Sequence, residues 1–325
     1  MKLSIIIPCY NVEKFVVKTI DSLRHLHDAE DVEFVFVNDG STDNTLSILK
    51  AFAESDSRAV VIDQTNQGVS AARNAALAVV RGERLLCLDG DDYLEENAID
   101  TILNNMQEAD LLLSPVVEER QGLSRLSAIN ISAGLYTMAQ LYESCYCFPL
   151  APMLVYRTAL IREHQLHFNS EIRSGEVYEF TVSVMNYAKD VRVIDQPFYH
   201  YVLRSGSATH YPNVEADLSV LRLLNSFESV THSWAQSDAF RLTTWKILNA
   251  FTYNKYIHLC LTDTHIMAAI DALMENEKFR QLLSQVAKNQ RLHLKDKVLV
   301  HYQRCMPHRL GFRLLVQINR FNLVL

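Results

Sequence analysis

Over the first 120 residues, short apolar runs alternate with longer stretches whose apolar positions recur at helical spacing. Lys2 to Ile7, Val32 to Val37, Ala59 to Ile62 and Arg84 to Leu88 read as strands. Val12 to His25, Asn44 to Glu54, Ser70 to Val80 and Glu95 to Met106 read as helices, the second opened by Ser41, Thr42 and Asp43 as a capping cluster. The apolar run Leu111 to Val117 follows. Strand and helix in strict alternation predict an α/β domain with a mostly parallel sheet covered by helices on both faces.

From about Ser124 the pattern loosens into segments rich in Tyr, Ser and Cys, followed by a mixed stretch to His210. Beyond Tyr211 and Pro212 it becomes helical over Val214 to Val230, Ala235 to Leu261, Thr264 to Met274, Lys278 to Lys288 and Arg309 to the end. The expected organisation is therefore an α/β domain over 1–212, with halves 1–115 and 116–212, and a helical region over 213–325.

A chain of 325 residues with 49% apolar and 21% charged residues is a folded globular type. A net charge of −7 argues against a nucleic-acid partner, which needs a basic stripe. The charge is uneven: Lys288 to Leu325 carries eight Lys or Arg against Asp296 alone. In the tail, Arg309, Arg313, Gln317 and Arg320 fall on one helical side and Leu314, Leu315, Ile318, Phe321 and Leu325 on the other. That layout suits a membrane surface, or equally a helix packed on its own domain or on a partner subunit. The six cysteines form no Cys-x-x-Cys pair, which argues against a zinc site and against a disulfide framework. The first apolar run stops at Pro8 and reads as a buried strand rather than a leader, and no apolar stretch approaches the roughly 18 residues of a membrane span. A cytoplasmic protein, at most peripheral to a membrane, is expected.

In an open parallel sheet, ligands bind beyond the carboxyl ends of the strands. Four polar segments fall there: Pro8-Cys9-Tyr10-Asn11, Asn38-Asp39-Gly40-Ser41-Thr42-Asp43, Asn66-Gln67-Gly68 and Asp89-Gly90-Asp91-Asp92. Singly they have plain readings: a turn with a helix cap for the second, acids favoured by a helix dipole for the fourth. Three carboxylates in four residues nevertheless repel one another unless a cation or donors sit among them, and Mg²⁺ or Mn²⁺ takes such oxygens together with substrate phosphates. There is no Gly-x-Gly-x-x-Gly and no Walker lysine, which sets aside dinucleotide oxidoreductases and P-loop enzymes.

In order and spacing, Ile6-Ile7-Pro8-Cys9-Tyr10-Asn11, Val37 to Asp43, Asn66-Gln67-Gly68 with Ala72-Arg73-Asn74, and Leu88 to Asp92 resemble the inverting family 2 glycosyltransferases of the GT-A fold. The likeness is strong to about residue 110 and continues weakly to about 210 through Ile194 to Tyr201 and Arg204 to Ser207. It implies that Asp39 meets the base of a nucleotide, with Pro8, Tyr10, Asn11 and Asn66 around base and ribose. Arg73 and Asn74 would face the nucleotide or diphosphate, Asp89 the ribose or sugar, and Asp91 and Asp92 a bridging Mn²⁺ or Mg²⁺. For Tyr10 and Arg73 the plain readings are a core aromatic and a surface charge.

The implied reaction is attack by an acceptor hydroxyl on the anomeric carbon of a nucleotide sugar, UDP-linked by expectation, with a saccharide or lipid-linked saccharide as acceptor in surface-polysaccharide assembly. The family's general base is the Asp of a Glu-Asp pair. Here the pair reads Glu176-Val177, with Phe180 in place, so the base role passes to Glu176 or Glu179, with His200 and His210 as weaker candidates. A nucleotidyltransferase and a catalytically impaired nucleotide-sugar-binding protein are the alternatives.

Overall fold

The computed structural model describes residues 1–26, 31–106, 109–120, 122–127, 131–144, 154–203, 218–227, 230, 232–251, 271–290 and 292–305. The chain divides into two compact units, one formed by Met1–Leu141, Pro149–Ser170 and Glu176–Arg204, the other by Tyr142–Phe148, Glu171–Gly175 and Ser205–Leu325.

The first unit is built on an eight-stranded sheet. Strands β1 (Leu3–Cys9), β2 (Val32–Asp39), β3 (Ala59–Gln64) and β4 (Arg84–Cys87) run parallel in the order β3-β2-β1-β4. Helices α1 (Val16–Arg24), α2 (Thr45–Ser55) and α3 (Val69–Leu77) connect them. This is the alternation the sequence predicts. Ile5, Ile7, Phe34, Phe36, Leu85 and Leu86 are fully buried, as central parallel strands covered on both faces require.

Beyond β4 the sheet becomes mixed. The order continues β10 (Leu154–Arg157), β6 (Leu111–Leu113), β11 (Asp190–Val193), β9 (Gly134–Thr137), with β10 antiparallel to both β4 and β6. The expected single run Leu111 to Val117 is in fact two strands. Pro115 has no N–H to offer a ladder, and after Ser114 and Pro115 the chain enters β7 (Val116–Arg120) of a second sheet. That sheet has the order β5-β12-β7-β8, with β5 (Tyr93–Leu94), β8 (Leu123–Leu126) and β12 (Tyr199–Leu203). Helices α4 (Ala98–Asn105), α5 (Met138–Ser144), α6 (Thr158–Glu163) and α7 (Glu176–Met185) are the further helices among the described residues up to 203.

In the second unit the described secondary-structure elements are helical. The helix Asp238–Phe251 lies within the expected Ala235 to Leu261, and Glu277–Val286 matches the expected Lys278 to Lys288, capped by Asn276, whose side chain accepts from Phe279 N. The helix Leu294–Cys305 was not anticipated. Trp245 Nε1 donates to Gln303 Oε1 at 3.0 Å, and Gln303 in turn donates to Asn249, so a buried polar chain links two of these helices. Thr264 to Met274 lies largely, and Arg309 to Leu325 wholly, outside the described residues.

Candidate active site

The carboxyl ends of β1 to β4 meet on one rim, and two glycines allow the approach. Gly40 has φ +70°, and a Cβ there would stand 2.6 Å from the Asn66 main-chain nitrogen; at Gly90 it would stand 2.9 Å from Cys9 Sγ. Asn11, itself at φ 51°, receives Thr42 N on its Oδ1 at 2.8 Å and donates its main-chain N–H to Ser41 Oγ at 3.1 Å. It thereby ties the end of β1 to the loop after β2. Beside it Tyr10 is 51% exposed, so it is no core aromatic, and Pro8 is half-buried.

Asp39, at the end of β2, is buried and accepts three N–H groups. Gln64 Nε2 and Gln67 N reach Oδ1 at 2.7 and 2.9 Å, and Gly68 N reaches Oδ2 at 2.8 Å. Asn66 Nδ2 donates to the Asp39 carbonyl at 3.0 Å. Asp39 thus shapes the loop that carries Asn66, and a carboxylate with about four acceptor positions has one to spare.

Arg73 is 4% exposed and is no surface charge. Its Nη2 donates to Asp89 Oδ1 at 2.9 Å and its Nη1 to Glu176 Oε1 at 2.8 Å, while its guanidinium lies 5.3 Å from the Phe168 ring centroid. Burial works against the charge, but Asp89 and Glu176 outweigh it, and the guanidinium pKa is raised. Asn74, expected to face the nucleotide, is used otherwise: Nδ2 donates to the Phe168 carbonyl and Oδ1 accepts Phe168 N, both at 2.8 Å. It clamps the segment whose ring stacks at 3.9 Å on Phe180.

The acidic cluster after β4 divides in two. Asp89 and Asp91 are partly exposed, the Asp89 side chain at 38%. Asp92 is 1% exposed, accepting Tyr199 Oη–H on Oδ2 at 2.7 Å and Val202 N on Oδ1 at 2.8 Å. The Tyr199 hydroxyl also accepts Asp89 N at 3.2 Å, and Thr19 Oγ1 donates to the Asp92 carbonyl at 2.7 Å. Burial, then the charges of Asp89 and Asp91, push the Asp92 carboxyl up to about 8. Of the two acids expected to hold a metal, Asp92 turns both its oxygens inward to anchor β12. Among the described residues no group of three or more His, Cys, Asp or Glu side chains is gathered as a metal set. Asp91, with Asp89 beside it, is what the rim offers, which fits an ion that takes one or two protein carboxylates and completes its shell with phosphates and water.

Helix α7 brings Glu176 to this rim through Arg73. Its carboxylate is 12% exposed with Oε1 committed to the guanidinium. Val177 is half-buried and Glu179 is buried one turn on. His200 is not on the rim cluster: its ring nitrogens contact Glu95 Oε1 at 2.7 Å and Glu119 Oε1 at 3.1 Å, and it stacks on Tyr93. His210 lies outside the described residues. Sequence reading missed Phe168, Tyr199 and Thr19, whose roles depend on partners far along the chain. Only Tyr199 stood in a segment already singled out.

Residues 4–163 match the model of glycosyl transferase family 2. This part of the chain is a family 2 glycosyltransferase domain. Among curated relatives, the poly(ribitol-phosphate) beta-glucosyltransferase of Bacillus spizizenii is 31% identical over 217 residues, 63% of this chain and 33% of that protein. The poly(ribitol-phosphate) beta-N-acetylglucosaminyltransferase TarS of Staphylococcus aureus is 30% identical over 236 residues, 69% of this chain and 40% of that one. The chain thus spans well under half the length of these two relatives. The crystal structure of S. aureus TarS 1-349 in complex with UDP shares the fold, with a TM-score of 0.73 at 23% identity over 99% of this chain and 92% of that one. The family 2 domain is accordingly of the GT-A type.

Proposed function

We propose that this protein is a metal-dependent, inverting glycosyltransferase that moves a sugar from a UDP-linked donor to a saccharide or lipid-linked saccharide acceptor in surface-polysaccharide synthesis. One observation carries the reading: Asp39 stands at the carboxyl end of β2 and Asp89 and Asp91 at that of β4, the parallel strands on either side of β1, and Asp89 is held by a buried Arg73 that also grips the first residue of α7. The donor class is supported by the crystal structures of TarS 1-349 in complex with UDP and with UDP-GlcNAc. A more distant fold neighbour, the Pyrobaculum calidifontis mannosyltransferase in complex with GDP-Man and Mn²⁺ (TM-score 0.54), is in keeping with a divalent ion.

In this reading Tyr10, Pro8, Asn11 and Asn66 border the base and ribose, Asp39 reaches the base ring through its spare acceptor position, and Asp89 takes a ribose or sugar hydroxyl. Asp91 would hold Mn²⁺ or Mg²⁺, which when bound offsets the charge building on the departing diphosphate. Glu176 is the carboxylate we assign to the acceptor proton, through Oε2 because Oε1 is given to Arg73. Glu179 is its nearest substitute. The basic amphipathic tail from Arg309 to Leu325 would rest on an anionic membrane surface, and ending the chain at Pro307 should then lower sedimentation with anionic liposomes.

The test is UDP release from UDP-GlcNAc and UDP-glucose, with GDP-mannose as contrast, in Mn²⁺, Mg²⁺ or chelator. UDP release that depends on the ion is the expected result. A second reading, a nucleotide-sugar-binding protein with impaired catalysis, is favoured by Val177 at the usual base position and by the Glu176 pairing. Donor binding without UDP release would select it.

A further inference from the structure

The end of the large sheet away from the rim holds, at the central strands β4 and β10, a cavity of about 330 Å³ lined by Arg81, Glu83, Arg84, Arg157, Thr158 and Arg162. Arg84 opens β4, Arg157 closes the antiparallel β10, and the two are direct register partners. Side chains so paired leave the sheet on the same face, where like charges destabilise each other. The strain is visible in Arg84, whose guanidinium is held below its ordinary pKa by burial and then by the charge of Arg157.

The acids nearby, Glu33, Glu83 and Asp110, are three against four arginines, and Glu83 and Asp110 only partly offset burial and Arg157 at Arg84. Glu33 takes Arg81 at 2.8 Å and Asp110 takes Arg157 at 3.0 Å. Arg84 and Arg162 donate instead to the main-chain carbonyls of Met106 and Val80. A guanidinium has five N–H donors, so these single bonds leave Arg84 and Arg162 with donors to spare. An independent sign is Thr158: it is 1% exposed, and its hydroxyl has no hydrogen-bond partner among the described residues. A buried polar group in that state calls for a ligand or solvent to complete it.

We propose that this cavity is a binding site for a phosphate-class oxyanion, taken by the guanidiniums of Arg84, Arg157 and Arg162 with the Thr158 hydroxyl as a neutral donor. Planar forks from several arginines present more donors than one carboxylate can accept, and a tetrahedral phosphate presents acceptors in several directions. The site lies at the opposite end of β4 from Asp89 and does not depend on the donor reading above.

The test titrates inorganic phosphate into the full chain by calorimetry, at constant ionic strength made up with chloride. Saturable binding is expected, weakened by about tenfold in Arg84→Gln and in Arg162→Gln, the loss of one charge-assisted hydrogen bond. Arg162 is exposed, so its variant reports even if Arg84→Gln does not fold. A parallel arm measures cosedimentation with vesicles of phosphatidylglycerol and phosphatidylcholine. Loss of phosphate binding alone assigns a free phosphate or phosphorylated metabolite, and loss in both arms assigns a lipid headgroup. Phosphate binding that is absent in the parent chain, or equal in parent and variants, overturns the proposal.

Discussion

At its carboxyl end, β4 leads into Asp89, Asp91 and the inward-turned Asp92, whereas at its amino end it starts with Arg84 beside Arg157. Both ends crowd like charges, and each relieves the crowding differently. The acidic end takes a buried cation into the fold: Arg73 sits beneath Asp89 and Glu176, and Asp92 is taken out of the cluster by Tyr199 and Val202. The basic end is met by Glu33 and Asp110 at its margins but leaves Arg84 and Arg162 on neutral carbonyls. The lesson is that one end is largely compensated from within the fold, while the other is still short of negative charge.

The largest expected effect is at the acidic end. Asp91→Ala should lower ion-dependent UDP release by about 10³-fold while the melting temperature holds, because it removes the carboxylate assigned to the ion opposite the leaving diphosphate. Near-normal rates at low Mn²⁺ would break the assignment. Next comes Arg73→Met, which strands the Glu176 carboxylate in a site that is 12% exposed, and it should cost about 3 kcal/mol in urea unfolding. A loss within error of zero would show that the acids do not need the guanidinium.

Glu176→Gln sharpens the same end by separating chemistry from support. Turnover is expected to fall by about 10²-fold with the donor KM nearly unchanged. If it turns over normally while Glu179→Gln is inactive, the base role belongs to Glu179; if both are active, the base lies elsewhere. A last test concerns Asp92 in the presence of chelator. Its folded pKa, about 8, lies above the ~3.9 of an unfolded aspartate, so the folded state holds the proton more tightly. That contribution is complete below about pH 4 and lost as pH rises through about 8. Asp92→Asn should therefore flatten the decline of unfolding free energy between these limits, and an unchanged slope would remove the burial argument.

Much of the first unit was legible because its signals are local. Continuous apolar runs mark strands buried on both faces, helical spacing marks what covers them, and a change from apolar to Gly- and Asp-bearing segments marks strand ends. Where the run Leu111 to Val117 was read as one strand, hydropathy alone could not show that it crosses between sheets at Pro115. The helix Leu294–Cys305 escaped because its charged stretch, with Lys295, Asp296 and Lys297, dilutes the apolar period.

By itself the sequence determined the order of strands and helices over the first 106 residues, the family to which residues 4–163 belong, and most of the polar residues delivered to the rim, since these signals are local. Only the tertiary structure decided which members of that set stay at the surface. Asp91 and Asp92 are adjacent and chemically identical, yet Tyr199, 107 positions away, draws the second inward. Arg73 finds Glu176 103 positions away, and Arg84 meets Arg157 only because β10 runs antiparallel to β4. Charge and burial are properties of the assembled neighbourhood: a residue's type sets what it can bond, and the chain's long-range path sets which partner arrives.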